Sequence, residues 1–179
     1  MQLDLQSDSF KPYLRWMAST QEWKVRKDGI DETLNFDNAV FDISNTRLGW
    51  GAFGEGVAPD WKWDDTAGRA ARPTPEHKRG FSVSVYAPKM LGEDQPSAIW
   101  ESTGRGACLG MEALVAQIDD AKVKDKLPLV SFKGATPTKV GKGATAVPNF
   151  EIVDYVDRPG GFDNEVAATK STPIETAEF

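Results

Sequence analysis

The residues predict a mainly β domain, a small barrel with one mid-chain helix and a long aromatic, glycine-rich insertion. Three observations carry this. In "GFSVSVYAP", Phe81, Val83 and Val85 alternate with Ser82, Ser84 and Tyr86, the period-two pattern of a strand with one buried face. From Gly106 to Asp120, the residues Cys108, Met111, Leu114, Val115 and Ile118 fall at helical spacing and form one apolar stripe. Between them in kind is the stretch from Asn45 to Arg79, "NTRLGWGAFGEGVAPDWKWDDTAGRAARPTPEHKR", too interrupted by Gly and Pro for an ordinary core helix or strand.

The elements follow in order. The first 30 residues are mixed, and "YLRWMASTQEWKV" fits either a short helix, with Tyr13, Trp16 and Met17 on one side, or a strand. "FDNAVFDISNTRLGWG" reads as extended, because β-branched and aromatic residues recur before a run of glycines. Pro88 ends the strand begun at Phe81, and "SAIWEST" is a shorter strand that pairs with it across "KMLGEDQP". After the helix, the charged "DDAKVKDK" leaves the body near Lys126. "LPLVSFKGATP" and "ATAVPNFEIVDYV" then form a hairpin around "TKVGKG", whose glycines permit a turn. Beyond Val156 large apolar residues are few. Residues 1–158 are therefore expected to form one domain and 159–179 a flexible, mildly acidic tail. Several strands, a helix and two more strands match the oligonucleotide-binding barrel, though an α+β sandwich fits the same count.

Composition narrows the chemistry. The apolar and charged fractions are those of a globular protein, and 179 residues suffice for one core. No segment has the apolar length of a membrane span, and "MQLDLQSDSFKPY" lacks a signal-peptide pattern, so a cytoplasmic protein with no membrane partner is expected. Cys108 is the one cysteine and reads as a small buried hydrophobe; with His77 the one histidine, a zinc site of His and Cys is excluded. "VGKGAT" has Gly143 where a phosphate loop wants Ser or Thr, and "GWGAFGEG" precedes no helix. No cofactor is implied and a non-enzyme is expected. A metal-dependent nuclease would need carboxylates such as Asp64–Asp65 or Asp119–Asp120, which solvated caps explain more simply.

Net charge is −6, yet its distribution is uneven. Lys122 to Lys142 holds six lysines against Asp125 alone, and the last stretch, Asp157 to Phe179, holds five acids against two bases. A polyanion could meet a local positive groove. Trp50, Phe53, Trp61 and Trp63 offer π-faces for stacking on bases, with Tyr86 a further ring, while Arg47, Lys62, Arg69, Arg72, Lys78 and Arg79 could neutralise phosphates. Lys133, Lys139 and Lys142 would edge such a groove if the last hairpin lies beside it. The same rings could instead staple a long loop to the body or form a protein interface. Trp100 is expected in or near the core, so its replacement should affect binding less than that of Trp50, Trp61 or Trp63.

With "HKRGFSVSVYAPK" at 77–89, "IWESTGRGA" at 99–107 and "KVGKGATAVPNFEIVDYVDRP" at 139–159, the chain resembles the single-stranded DNA-binding proteins of tailed bacteriophages, in their oligonucleotide-binding-barrel form. The resemblance covers most of 34–158. It implies coating of transient single strands of DNA during phage replication and recombination, in the host cytoplasm and without hydrolysis; a homo-oligomer stays open. It also implies an acidic tail closed by an aromatic residue that recruits replication or recombination proteins. Glu175, Glu178 and Phe179 match that in kind, although Lys170 dilutes the charge.

Overall fold

The structure, a computed structural model, describes residues 11–162. Its elements are β1 (Tyr13–Met17), β2 (Glu22–Lys27), β3 (Ile30–Leu34), β4 (Asn38–Phe41), β5 (Arg47–Ala52), β6 (Asp60–Trp63), β7 (Lys78–Tyr86), α1 (Pro88–Leu91), β8 (Ser97–Ser102), α2 (Arg105–Ala116), β9 (Leu127–Val140) and β10 (Gly143–Val156). The strands hydrogen-bond in the order β10-β9-β4-β7-β8-β1-β2-β3, with β5 pairing β7 and β6. The fold is mainly β, as the residues predict. β4 and β5 act as one bent strand around the 3-10 turn Ile43–Asn45; β7, β8, α2, β9 and β10 follow, and β9 returns beside β4. This is the connectivity of an oligonucleotide-binding-type barrel, with its helix between the third and fourth barrel strands.

The N-terminal segment resolves into strands. Asp28 and Gly29 both take positive φ, 52° and 76°, in a two-residue loop that turns β2 into β3. β1 runs parallel to β8 at Tyr13↔Ile99 and so extends the barrel sheet. Its partner β2 inserts Trp23, 2 % exposed, into the core. That ring lies 4.9 Å from Phe36, 5.0 Å from Trp100, 5.9 Å from Phe132 and 6.0 Å from Phe150, centroid to centroid. Strands far apart in the hydrogen-bonded order thus meet across the core, and Trp16 Nε1 donates to the Ala146 carbonyl of β10 at 2.8 Å. Sheet curvature, rather than a continuous ladder, brings these ends together.

Core-facing residues of β7 (Phe81, Val83, Val85) and β8 (Ala98, Trp100) are buried as their alternation requires. The helix differs from its apolar stripe. α2 buries Gly106, Ala107, Gly110, Met111 and Leu114, while Val115 is 49 % exposed. The cause is a close approach to β10: a Cβ on Gly106 would collide with the Ala146 carbonyl, and one on Gly110 would sit 2.7 Å from Pro148 Cγ. Turning the glycines inward turns Val115 out.

Three further expectations change. The Asn45–Arg79 stretch, expected to be too interrupted for an ordinary core strand, holds β5 at its start, β6 in its middle and the first residues of β7 at its end. Pro88 not only ends β7 but opens the single turn of α1. The packed body also runs past Arg158: that guanidinium grips buried Asp42 at 2.7 and 3.1 Å, and Phe162 stacks on Tyr86 at 5.4 Å. No helix among the described residues is long and apolar enough to cross a membrane.

Candidate nucleic-acid interface

The pairing register sorts the candidate residues onto two faces of the β5–β6–β7 sheet. Residues directly opposite in an antiparallel pair share a face. Gly49↔Trp63, Gly51↔Trp61, Arg47↔Ser82, Gly49↔Gly80 and Gly51↔Lys78 therefore place Arg47, Trp61, Trp63 and Lys78 on the outer face. Trp50↔Lys62, Trp50↔Arg79 and Leu48↔Phe81 put Trp50, Lys62 and Arg79 on the other.

On the outer face the rings form a column. The Trp61 and Trp63 indoles stack in parallel, 4.3 Å apart at 7°. The Arg47 guanidinium covers Trp63, 4.1 Å from its centroid, and Phe53 meets Trp61 edge-on at 5.8 Å. Glycine makes the floor. A Cβ at Gly49 would lie 2.8 Å from Trp63 Cε3, one at Gly51 2.9 Å from Trp61 Cη2, and one at Gly80 2.9 Å from the same atom. Any larger residue would lift the indoles off the sheet, and glycine inside strands often marks such close approaches. The indole faces are thus engaged by each other and by Arg47. What remains open is the outward edge of the stack and the Phe53 ring, 53 % exposed.

Glu101 lies on this same face, opposite Ser82. Burial pushes its carboxyl above the ordinary carboxylate range, while a Ser82 hydrogen bond and the Arg47 charge pull the other way. The Trp61 indole N–H also favours the charged form, although it is buried and short of full hydrogen-bond geometry with any acceptor. An anionic Glu101 would repel any phosphate brought to Arg47. Glu101→Gln is therefore expected to strengthen single-strand binding a few-fold near neutral pH and to flatten the wild-type gain as pH falls. Parallel affinity titrations of both proteins at several pH values check this, and identical pH profiles would count against it.

The opposite face is a packed cluster. Trp50 donates its N–H to the Ala70 carbonyl at 2.8 Å and has Arg69, Arg79 and Arg72 at 5.2, 5.3 and 5.6 Å from its ring. Arg79 holds Asp64 through two hydrogen bonds, at 2.8 and 2.6 Å, which with the Ala70 N–H lowers the Asp64 carboxyl to about 2 against the cost of burial. Arg72 donates to the Pro75 and His77 carbonyls, and His77 is buried between Thr74 Oγ1 and Asp60. These residues clasp the 64–79 loop, so Trp50 is structural in this arrangement, with Lys62 and Arg69 left exposed at its margin.

The hairpin lysines are exposed: Lys133 on β9 beside Glu151 at 3.5 Å, Lys139 near the end of β9 and Lys142 in the turn. Gly106 approaches Thr145 and Ala146 at the base of that turn, three residues beyond Thr103, which itself touches the glycine floor. The lysine-bearing tip and the column thus share one end of the barrel. Tyr86 is half-buried under Phe162 at the far end of β7. Glu175, Glu178 and Phe179 lie outside the described residues.

Three of the four acids in the carboxylate pairs have local partners. Asp65 accepts from the Ala67 N–H and Asp119 from the Ala121 N–H, beside the Asp64–Arg79 pair. Among the described residues no three His, Cys, Asp or Glu side chains cluster to hold a metal. Burial raises the Cys108 thiol above its ordinary range. Glu101, the functional candidate that sequence reasoning passed over, was marked only by its place one residue after Trp100 in a strand whose even positions face the core. Comparison with protein-family models, curated proteins and solved structures finds no match.

Proposed function

We propose that this chain binds single-stranded DNA with little regard to sequence and without hydrolysing it. The observation that carries the reading is the Arg47–Trp63–Trp61–Phe53 column on its glycine floor, built on the β5–β6 hairpin between the first and second barrel strands. Oligonucleotide-binding barrels bind strands with the face of their second and third strands and the loops between strands one and two and strands four and five, the first of which this hairpin forms. Here the β5–β6 hairpin supplies the column and the β9–β10 turn supplies Lys139 and Lys142. Bases would stack on Phe53 and against the indole edges, while Arg47, Lys78 and the hairpin lysines meet phosphates. From the resemblance alone come the preference for DNA over RNA, the setting of phage replication or recombination in a host cytoplasm, and partner recruitment through residues 159–179.

The test is an anisotropy titration of labelled oligo-dT and a matched duplex at two salt concentrations. Oligo-dT should bind more tightly, with affinity falling roughly tenfold to a hundredfold between about 50 and about 200 mM salt if around four phosphates are contacted. Absence of binding at the lower salt would overturn the reading.

A further inference from the structure

A pocket of about 710 Å³ opens between β5, the start of β7 and α2, adjoining the column at Gly80 and Thr103. Leu48, Phe81, Cys108, Met111 and Val115 give it an apolar lining. Phe81 and Met111 form a buried floor, while Leu48 and Val115, 52 % and 49 % exposed, stand on opposite walls. Two bulky aliphatic side chains left in water around an open pocket mark an interaction site more than a packing defect. The charge at the rim is uneven. Arg79 is neutralised by Asp64, but the exposed side chains of Lys78 and Arg105 enter no ion pair or hydrogen bond among the described residues, against Glu112 alone.

We propose that this pocket docks a short acidic peptide segment of a partner protein. Its bulky apolar side chains enter between Leu48 and Val115, and its carboxylates meet Lys78 and Arg105. A nucleobase fits the lining less well, because the hydrogen-bonding edges of a base would be desolvated against aliphatic walls. The pocket shares Lys78 with the face that carries the column, so an acidic peptide and a strand compete for that one cation.

Selection of random peptides on the full-length chain tests this, with Val115→Glu and Leu48→Glu chains as counter-targets. Both positions are exposed, so the variants should fold, which circular dichroism checks. Enriched peptides should combine two or more Leu, Ile or Phe with net negative charge and lose at least about tenfold in affinity on either variant. They should also shield the single cysteine, slowing maleimide attack on Cys108 by about fivefold at about four times their Kd. No enrichment dependent on Val115 and Leu48, or enrichment of basic peptides, would overturn the proposal. So would equal shielding of Cys108 by oligo-dT, which would assign the pocket to nucleic acid.

Discussion

Phe53→Ala is expected to weaken oligo-dT binding by about 1–3 kcal/mol, roughly fivefold to 150-fold, without lowering thermal stability. The ring is 53 % exposed and touches the body edge-on at Trp61, so it contributes little to the fold and much of the π-surface open to a base. Trp61→Ala should match that loss for an indirect reason, since it removes the wall behind Phe53 and the cover over Gly51 and Gly80, and it should also destabilise the hairpin. Trp50→Ala separates the faces: it should loosen the arginine clasp while leaving oligo-dT affinity closer to wild type than either. Fluorescence-quenching titrations with a melting curve for each variant decide the matter. Equal losses at Trp50 and Phe53 in equally stable proteins would remove the distinction between faces.

Trp23→Ala should cost about 3–5 kcal/mol, enough to unfold a marginal domain. Trp23 contacts Trp16, Phe36, Trp100, Phe132 and Phe150, and so ties the N-terminal hairpin to strands at the far end of the sheet order. Its indole N–H has no hydrogen-bond partner among the described residues, so Trp23→Phe forfeits volume but no polar contact and should be far milder. Urea denaturation of the pair gives the comparison. An alanine variant as stable as wild type would mean that β1 and β2 are an appendage rather than part of the barrel.

The barrel was most legible where one period ran long enough. Six residues of β7, Phe81 to Tyr86, carry an unbroken alternation, and the helical stripe announced α2. The stripe failed at Val115 because counting bulky residues ignores glycine, and Gly106 and Gly110 form the face that touches β10. β1 was ambiguous since Tyr13, Trp16 and Met17 satisfy helical spacing within five residues. Asp28-Gly29, a strong hairpin signal, was the available clue to β2 and β3. The aromatic residues were visible as a group, but not their partition. Trp50 and Trp61 look alike in the sequence, and only the register Trp50↔Lys62 shows that they face opposite ways. Likewise Arg79 read as a phosphate ligand until its pairing with Asp64 appeared.

Photo-crosslinking of an oligonucleotide carrying 5-iodouracil, followed by peptide mapping, tests the location of the binding surface most directly. Adducts should concentrate on Phe53, Trp61 and Trp63 and disappear at high salt. Adducts confined to Trp50 and the 64–79 loop, or to the N-terminal hairpin, would contradict a strand lying along the aromatic column.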